Sequence, residues 1–136
     1  MSDEVVPLHQ APKEVYGEDE MLGALGLNKN QPIADWYFHY PNSMWGVQES
    51  KGGYHLSRAI EQLRSTIRQL LNKGKKVNLA IVVMERLGRE KQIYDIDKDR
   101  DNVLTLKSGK DVKVEGVTVH LFLKREIGEM RSRGKL

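Results

Sequence analysis

Ile33-Ala34-Asp35-Trp36-Tyr37-Phe38-His39-Tyr40-Pro41-Asn42-Ser43-Met44-Trp45-Gly46-Val47-Gln48-Glu49-Ser50-Lys51 is the stretch that decides the fold. Pro41, Asn42 and Ser43 form a turn cluster between two apolar-aromatic runs, which predicts a β-hairpin with strands over Ala34–Tyr40 and Met44–Lys51. With Asn42 at the tip, Asp35 and Glu49 are equidistant from it. They then lie directly opposite each other, their Cβ atoms about 5 Å apart. Lys51 is two residues beyond Glu49 and shares its face. Two opposed carboxylates repel, and a strand pair gains nothing from that arrangement. A divalent cation would convert the repulsion into a ligand set.

Outward from the hairpin, Gly52-Gly53 breaks the strand, and Tyr54 to Lys73 reads as the best helix of the chain. Leu56, Ala59, Ile60, Leu63, Ile67, Leu70 and Leu71 recur at helical spacing, with Gly74 placed as a C-terminal cap. Glu61 is spaced to pair with Arg58 and Arg64. Val77–Leu87 follows, apolar on both strand faces up to Met84, as in a central buried strand. Further strands are expected over Lys91–Ile96, Val103–Lys107, Asp111–Val114 and Val117–Lys124. Glu18 to Leu27 reads as a short helix. The fold class is α/β or α+β: a mixed central sheet with a hairpin, one long amphipathic helix and further C-terminal strands. Residues 1–13 read as a flexible N-terminal arm, 14–127 as a single α/β domain and 128–136 as a basic C-terminal tail.

Composition narrows the function classes. The chain has 136 residues, 30% of them charged, so a single core is expected. It has no cysteine, which excludes disulfides and cysteine-based zinc sites. No apolar run approaches the roughly 20 residues of a membrane span, and the acidic start Met1-Ser2-Asp3-Glu4 does not resemble a secretion signal. A cytoplasmic location, or a nuclear one in a eukaryote, is expected. The net charge is only +3, but basic residues collect in Arg58, Arg64, Arg68, Lys73, Lys75 and Lys76, and again towards the C-terminus. Such a face suits a polyanion, and those six are the candidate nucleic-acid contacts.

An aspartate opening one strand, a Glu-x-Lys closing the next, a Gly-rich break, an amphipathic helix and a buried apolar strand together resemble the PD-(D/E)xK nuclease superfamily, the restriction-endonuclease-like and RecB-like group. The resemblance covers about residues 18–87 and rests on Asp35, Glu49 and Lys51. It implies a metal-dependent nuclease acting on nucleic-acid phosphodiesters. Asp35 and Glu49 would hold Mg2+ or Mn2+, the carbonyl of Ser50 would add a ligand, and Lys51 would orient or polarise the attacking water. It also implies a further acid from the preceding helix, Glu18 or Glu20, and a dimer or a place in a larger nucleic-acid machine. The chain departs from the pattern in having Ala34 before Asp35 rather than Pro, and Thr66 four residues after Gln62 where the RecB-like signature has Tyr.

Two other classes stay open. One is a non-catalytic adaptor or inhibitor that engages nucleic acid, or an enzyme that processes it, through the basic helix face and the aromatic hairpin. The other is a structural subunit whose exposed strands complete an assembly. In both, Asp35 is a turn or cap residue and Glu49 and Lys51 are solvent-facing. Asp95-Ile96-Asp97-Lys98-Asp99-Arg100-Asp101-Asn102 has the acidic spacing of a calcium loop but lacks its sixth-position Gly and twelfth-position Glu, and reads instead as a charged hairpin turn. Trp36, Tyr37, Phe38, Tyr40 and Trp45 lie on alternating faces, which calls for a second packed layer on the far side of the hairpin.

Overall fold

The hairpin forms with its tip where the turn residues put it. Ser43 takes a left-handed conformation (φ 70°), its N–H bonds the Tyr40 carbonyl at 3.1 Å, and Tyr40 N–H bonds Met44 O at 2.9 Å. In this computed structural model, which describes residues 5, 6, 8, 11–51 and 55–132, the chain runs β1 (Glu14–Gly17), α1 (Glu18–Gly23), β2 (Trp36–His39), β3 (Trp45–Lys51), α2 (Leu56–Asn72), β4 (Leu79–Met84), β5 (Tyr94–Asp97), β6 (Val103–Leu106), β7 (Lys113–Val114), β8 (Val117–Leu123) and α3 (Lys124–Ser132). The Gly52-Gly53 break, the Tyr54 helix start and residues 133–136 of the basic tail lie outside the described residues.

The strands form one mixed sheet in the order β1-β2-β3-β4-β8-β6-β5, with β7 paired to β8. β3, β4 and β8 are mutually parallel and the other pairings antiparallel. A parallel β3–β4 pair needs a crossover, and α2 supplies it. The expected α/β class with a mixed sheet is therefore what the chain adopts. No helix among the described residues is long and apolar enough to cross a membrane.

All six residues of β4 are buried, because both faces of the sheet are covered. On one face Leu56, Ala59, Leu63, Ile67 and Leu70 of α2 pack against Tyr37, Val47, Ala80, Val82 and Met84. On the other, Phe38, Tyr40, Leu79, Ile81, Val83 and Phe122 form a second layer with Val5 and Val6. Tyr40 donates its hydroxyl to Val6 O, Val6 N–H bonds Gln48 Oε1 at 2.9 Å, and burial pushes the Tyr40 phenol up to about 12. The aromatic alternation of the hairpin is thus used on both sides.

Several boundaries differ from the expected ones. α1 stops at Gly23 rather than reaching Leu27, since Gly23 and Gly26 favour a turn, and Gly26 sits at φ 68°. Arg89–Gln92 is a 3-10 turn and the following strand starts only at Tyr94. β1 pairs with β2 where no strand was expected. α3 begins at Lys124, four residues before the expected tail, with Glu126 Oε1 accepting the Leu123 N–H at 3.2 Å in the manner of a capping box. The acidic stretch after β5 is the expected charged turn. Asp97 Oδ1 accepts the Asp99 N–H, and Arg100 bridges Asp97 and Asp111.

Two stability predictions follow from this packing. A Cβ at Gly46 would meet Phe38 Cζ at 2.5 Å, so Gly46→Ala is expected to cost about 1–3 kcal/mol and to lower the urea midpoint at unchanged slope. Burial raises the Glu126 pKa, but hydrogen bonds from Lys98, Asn102 and the Leu123 N–H outweigh it, and the net shift is downward. A depressed carboxylate stabilises the fold above its unfolded pKa and loses that contribution as pH falls through the folded value. Glu126→Gln should therefore melt earlier than the parent at pH 7, and the gap in Tm should narrow as pH falls below the ordinary glutamate range.

Candidate functional site

β2 and β3 pair as Trp36↔Gln48, Tyr37↔Val47, Phe38↔Gly46 and His39↔Trp45, position numbers that each sum to 84. Extended one step beyond the paired residues, that register sets Asp35 level with Glu49, where β2 has already ended. Asp35 lies just outside β2, and its Oδ2 accepts the Ser50 N–H at 2.8 Å. The carboxylate stands in for the ladder partner that β2 no longer offers at this level. Glu49 is only 2% exposed and lies in register with Val82, so the reading of it as a solvent-facing residue is overturned. By alternation Glu49 shares the α2 face with Val47, and the Lys51 backbone lies in register with Met84. Where the Lys51 ammonium lies is outside what is described.

The segment leading to Asp35 is held by α2. Ala34 N–H bonds Thr66 Oγ1 at 2.8 Å, and that hydroxyl donates to Gln62 O at 2.8 Å. Gln62 Nε2 reaches Ile33 O at 3.4 Å. Ala34 and Thr66 are fully buried. Gln62 and Thr66 thus face the residues just before Asp35, and Thr66 satisfies a buried backbone donor there. Beside this segment a cavity of about 410 Å3 is lined by Pro32, Ser57, Arg58, Glu61 and Gln62.

The remaining sequence candidates scatter. Glu18 and Glu20 are exposed on α1. A Cβ at Gly17 would meet Glu20 Oε2 at 2.9 Å and the Trp36 ring at 3.3 Å. Gly17 and Trp36 are register partners, so the Glu20 carboxylate lies on the Trp36 face, not the face that carries Glu49. Among the described residues no three of His, Asp or Glu gather into a metal-holding group. Arg64 pairs with Glu61, and Arg68 with Glu115 Oε1 at 2.6 Å. Arg58 lines the cavity beside Pro32. Lys73, Lys75 and Lys76 follow the last turn of α2, and that helix of 17 residues spans roughly 25 Å. They therefore stand at the opposite end of the sheet from Asp35 and Glu49. The chemistry of the donor set fits Mg2+ or Mn2+. These ions accept one or two carboxylates and keep water and substrate oxygens for the rest of the shell, and Asp35, Glu49 and the Ser50 carbonyl are hard oxygen donors of that kind.

No family model, curated protein or solved structure matches the chain.

Thr66→Val keeps the shape of the side chain but leaves the Ala34 N–H without its acceptor, which is expected to cost about 1–3 kcal/mol in chemical denaturation. Thr66→Ser should retain most of the stability.

Proposed function

We propose that the chain is a metal-dependent nuclease acting on nucleic-acid phosphodiesters. The observation that supports it is that the Asp35 carboxylate bonds the backbone N–H of Ser50, the residue next to the buried Glu49. Asp35, Glu49 and the Ser50 carbonyl would hold the cation. Bound there, it would lower the pKa of a water and offset charge growing on the phosphate. Lys51, two residues beyond Glu49 on the same strand, is the residue assigned to orient that water. Hydrolysis forms one P–O bond to the water oxygen and breaks another, and the leaving oxygen takes a proton. Arg58 and the cavity it lines are placed beside the Pro32–Asp35 segment to meet a substrate phosphate.

A second reading has its own support in the Asp35–Ser50 bond, since that contact is also what a purely structural cap makes. In that case the protein is a non-catalytic adaptor or inhibitor that binds nucleic acid or an enzyme acting on it.

Asp35→Asn separates the two. The amide oxygen can still accept the Ser50 N–H, but the charge is gone. Incubated with plasmid and with RNA in Mg2+ or Mn2+, the parent should cleave at least about a hundredfold faster than Asp35→Asn and than Glu49→Gln. Equal, background-level cleavage by parent and variants would remove the nuclease reading and leave the binding protein.

A further inference from the structure

The end of the sheet remote from Asp35 carries a second feature that the acid pair does not use. A cleft of about 210 Å3 is lined by Tyr16, Leu25, Tyr37, Trp45, Lys75 and Lys76. Its rings are locked together. Tyr37 stacks on Trp45 at 4.9 Å, Tyr16 tilts on Tyr37 at 5.8 Å, and His39 lies flat on Trp45 at 4.1 Å. The basic rim is equally fixed at the backbone. Gly74 (φ 75°) closes α2 with Gly74 N–H to Leu71 O and Lys75 N–H to Leu70 O, the paired bonds of a Schellman cap. Tyr37 donates its hydroxyl to Lys76 O at 2.9 Å. Lys73 Nζ reaches over the Gly26 turn on the same side, 3.4 Å from where a Cβ would stand.

Several cations elsewhere on the surface are paired. Arg64, Arg68, Lys98, Arg100 and Lys107 are each matched to a carboxylate. Among the described residues no carboxylate is within ion-pair distance of Lys73, Lys75 or Lys76. Three cations around a preformed aromatic cleft offer charge to an anion and apolar surface to the group attached to it. That pairing matches an unpaired nucleotide, whose base face is free to stack.

We propose that this cleft is a second nucleic-acid contact, taking one unpaired nucleotide with its phosphate on Lys75 and Lys76 and its base or sugar against Tyr16 and Trp45, which the buried Tyr37 backs. On β3 the cleft residue Trp45 and Glu49 are four residues apart, roughly 13 Å. This assignment rests on nucleic acid being the substrate, but not on the acid pair being catalytic.

The test is a metal-free titration of a labelled 20-nucleotide single strand, read by anisotropy across a salt series in EDTA. Lys75→Glu/Lys76→Glu changes two exposed side chains and leaves the Lys76 carbonyl in place, and circular dichroism checks its fold. It is expected to weaken binding about tenfold or more and to flatten the log–log salt slope by about 1.4. Lys91→Glu/Lys110→Glu, two exposed lysines elsewhere, should cost far less. Equal losses in the two variants, binding by Lys75→Glu/Lys76→Glu within about twofold of the parent, or a duplex bound as tightly as the single strand would each overturn the assignment. Because nothing is cut in EDTA, a failure here is separate from a failure of the cleavage assay.

Discussion

The register of the β2–β3 hairpin is the constraint on which the site and both core layers depend. Side chains alternate with a period of two, so a slip of one residue would exchange the faces of a whole strand. It would set Asp35 against a neighbour of Glu49, and it would turn Val47 away from α2. Three features hold the register in place. Pro41-Asn42-Ser43 accepts the left-handed residue of the turn. Gly46 leaves room for the Phe38 ring where any Cβ would collide with it. On the opposite face His39 and Trp45 lie parallel within 4°. A bulky residue opposite Phe38 and a missing ring opposite His39 would both loosen the same alignment from different sides of the sheet.

From that alignment the parallel β3–β4 pair carries Glu49 into the buried middle of the sheet, where a carboxylate is costly to hold. Such a position is poor value for stability alone, since an apolar residue beside Val82 would pack without desolvating a charge. Buried ionisable groups at the end of a sheet, next to a second acid, are where chemistry is commonly sited. The same logic separates the two acids. Asp35 is partly exposed and fixed through Ser50 and the Thr66-anchored segment, whereas Glu49 is fixed by burial.

How much of this was legible in the sequence depended on the range of the interactions involved. The hairpin, α2 and β4 announce themselves by local signals: turn residues, helical spacing of Leu56 to Leu70, and an unbroken apolar run. The level shared by Asp35 and Glu49 follows from the turn alone. β1 is four residues long and exists because β2 offers it an edge, which no local pattern records. The burial of Val5 and Val6 depends on Gln48 and Tyr40, more than 30 residues away. The basic face of α2 was overestimated for the same reason. Helical spacing displays Arg64 and Arg68 together, but it cannot show that Glu115, 47 residues on, neutralises Arg68. Nor can it show that Lys73, Lys75 and Lys76 lie a full helix length from the acids.

That separation reshapes the functional argument. A single continuous basic stripe leading to the acid pair would imply binding and chemistry in one place. What the fold builds instead is an acid pair at the C-terminal end of β3, with Arg58 near it, and a lysine-rimmed aromatic cleft at the N-terminal end of the same strand. Both ends are rigidly related, because β3 and α2 join them in parallel, one as a strand and one as a helix packed on it. Rigid spacing of this kind favours a ligand long enough to touch both ends at once. Contact at the second end then adds to affinity through effective concentration rather than through any new chemistry. A small phosphate ester could reach only one end. On the proposed reading, a polymer of phosphates is the ligand class that would engage both ends.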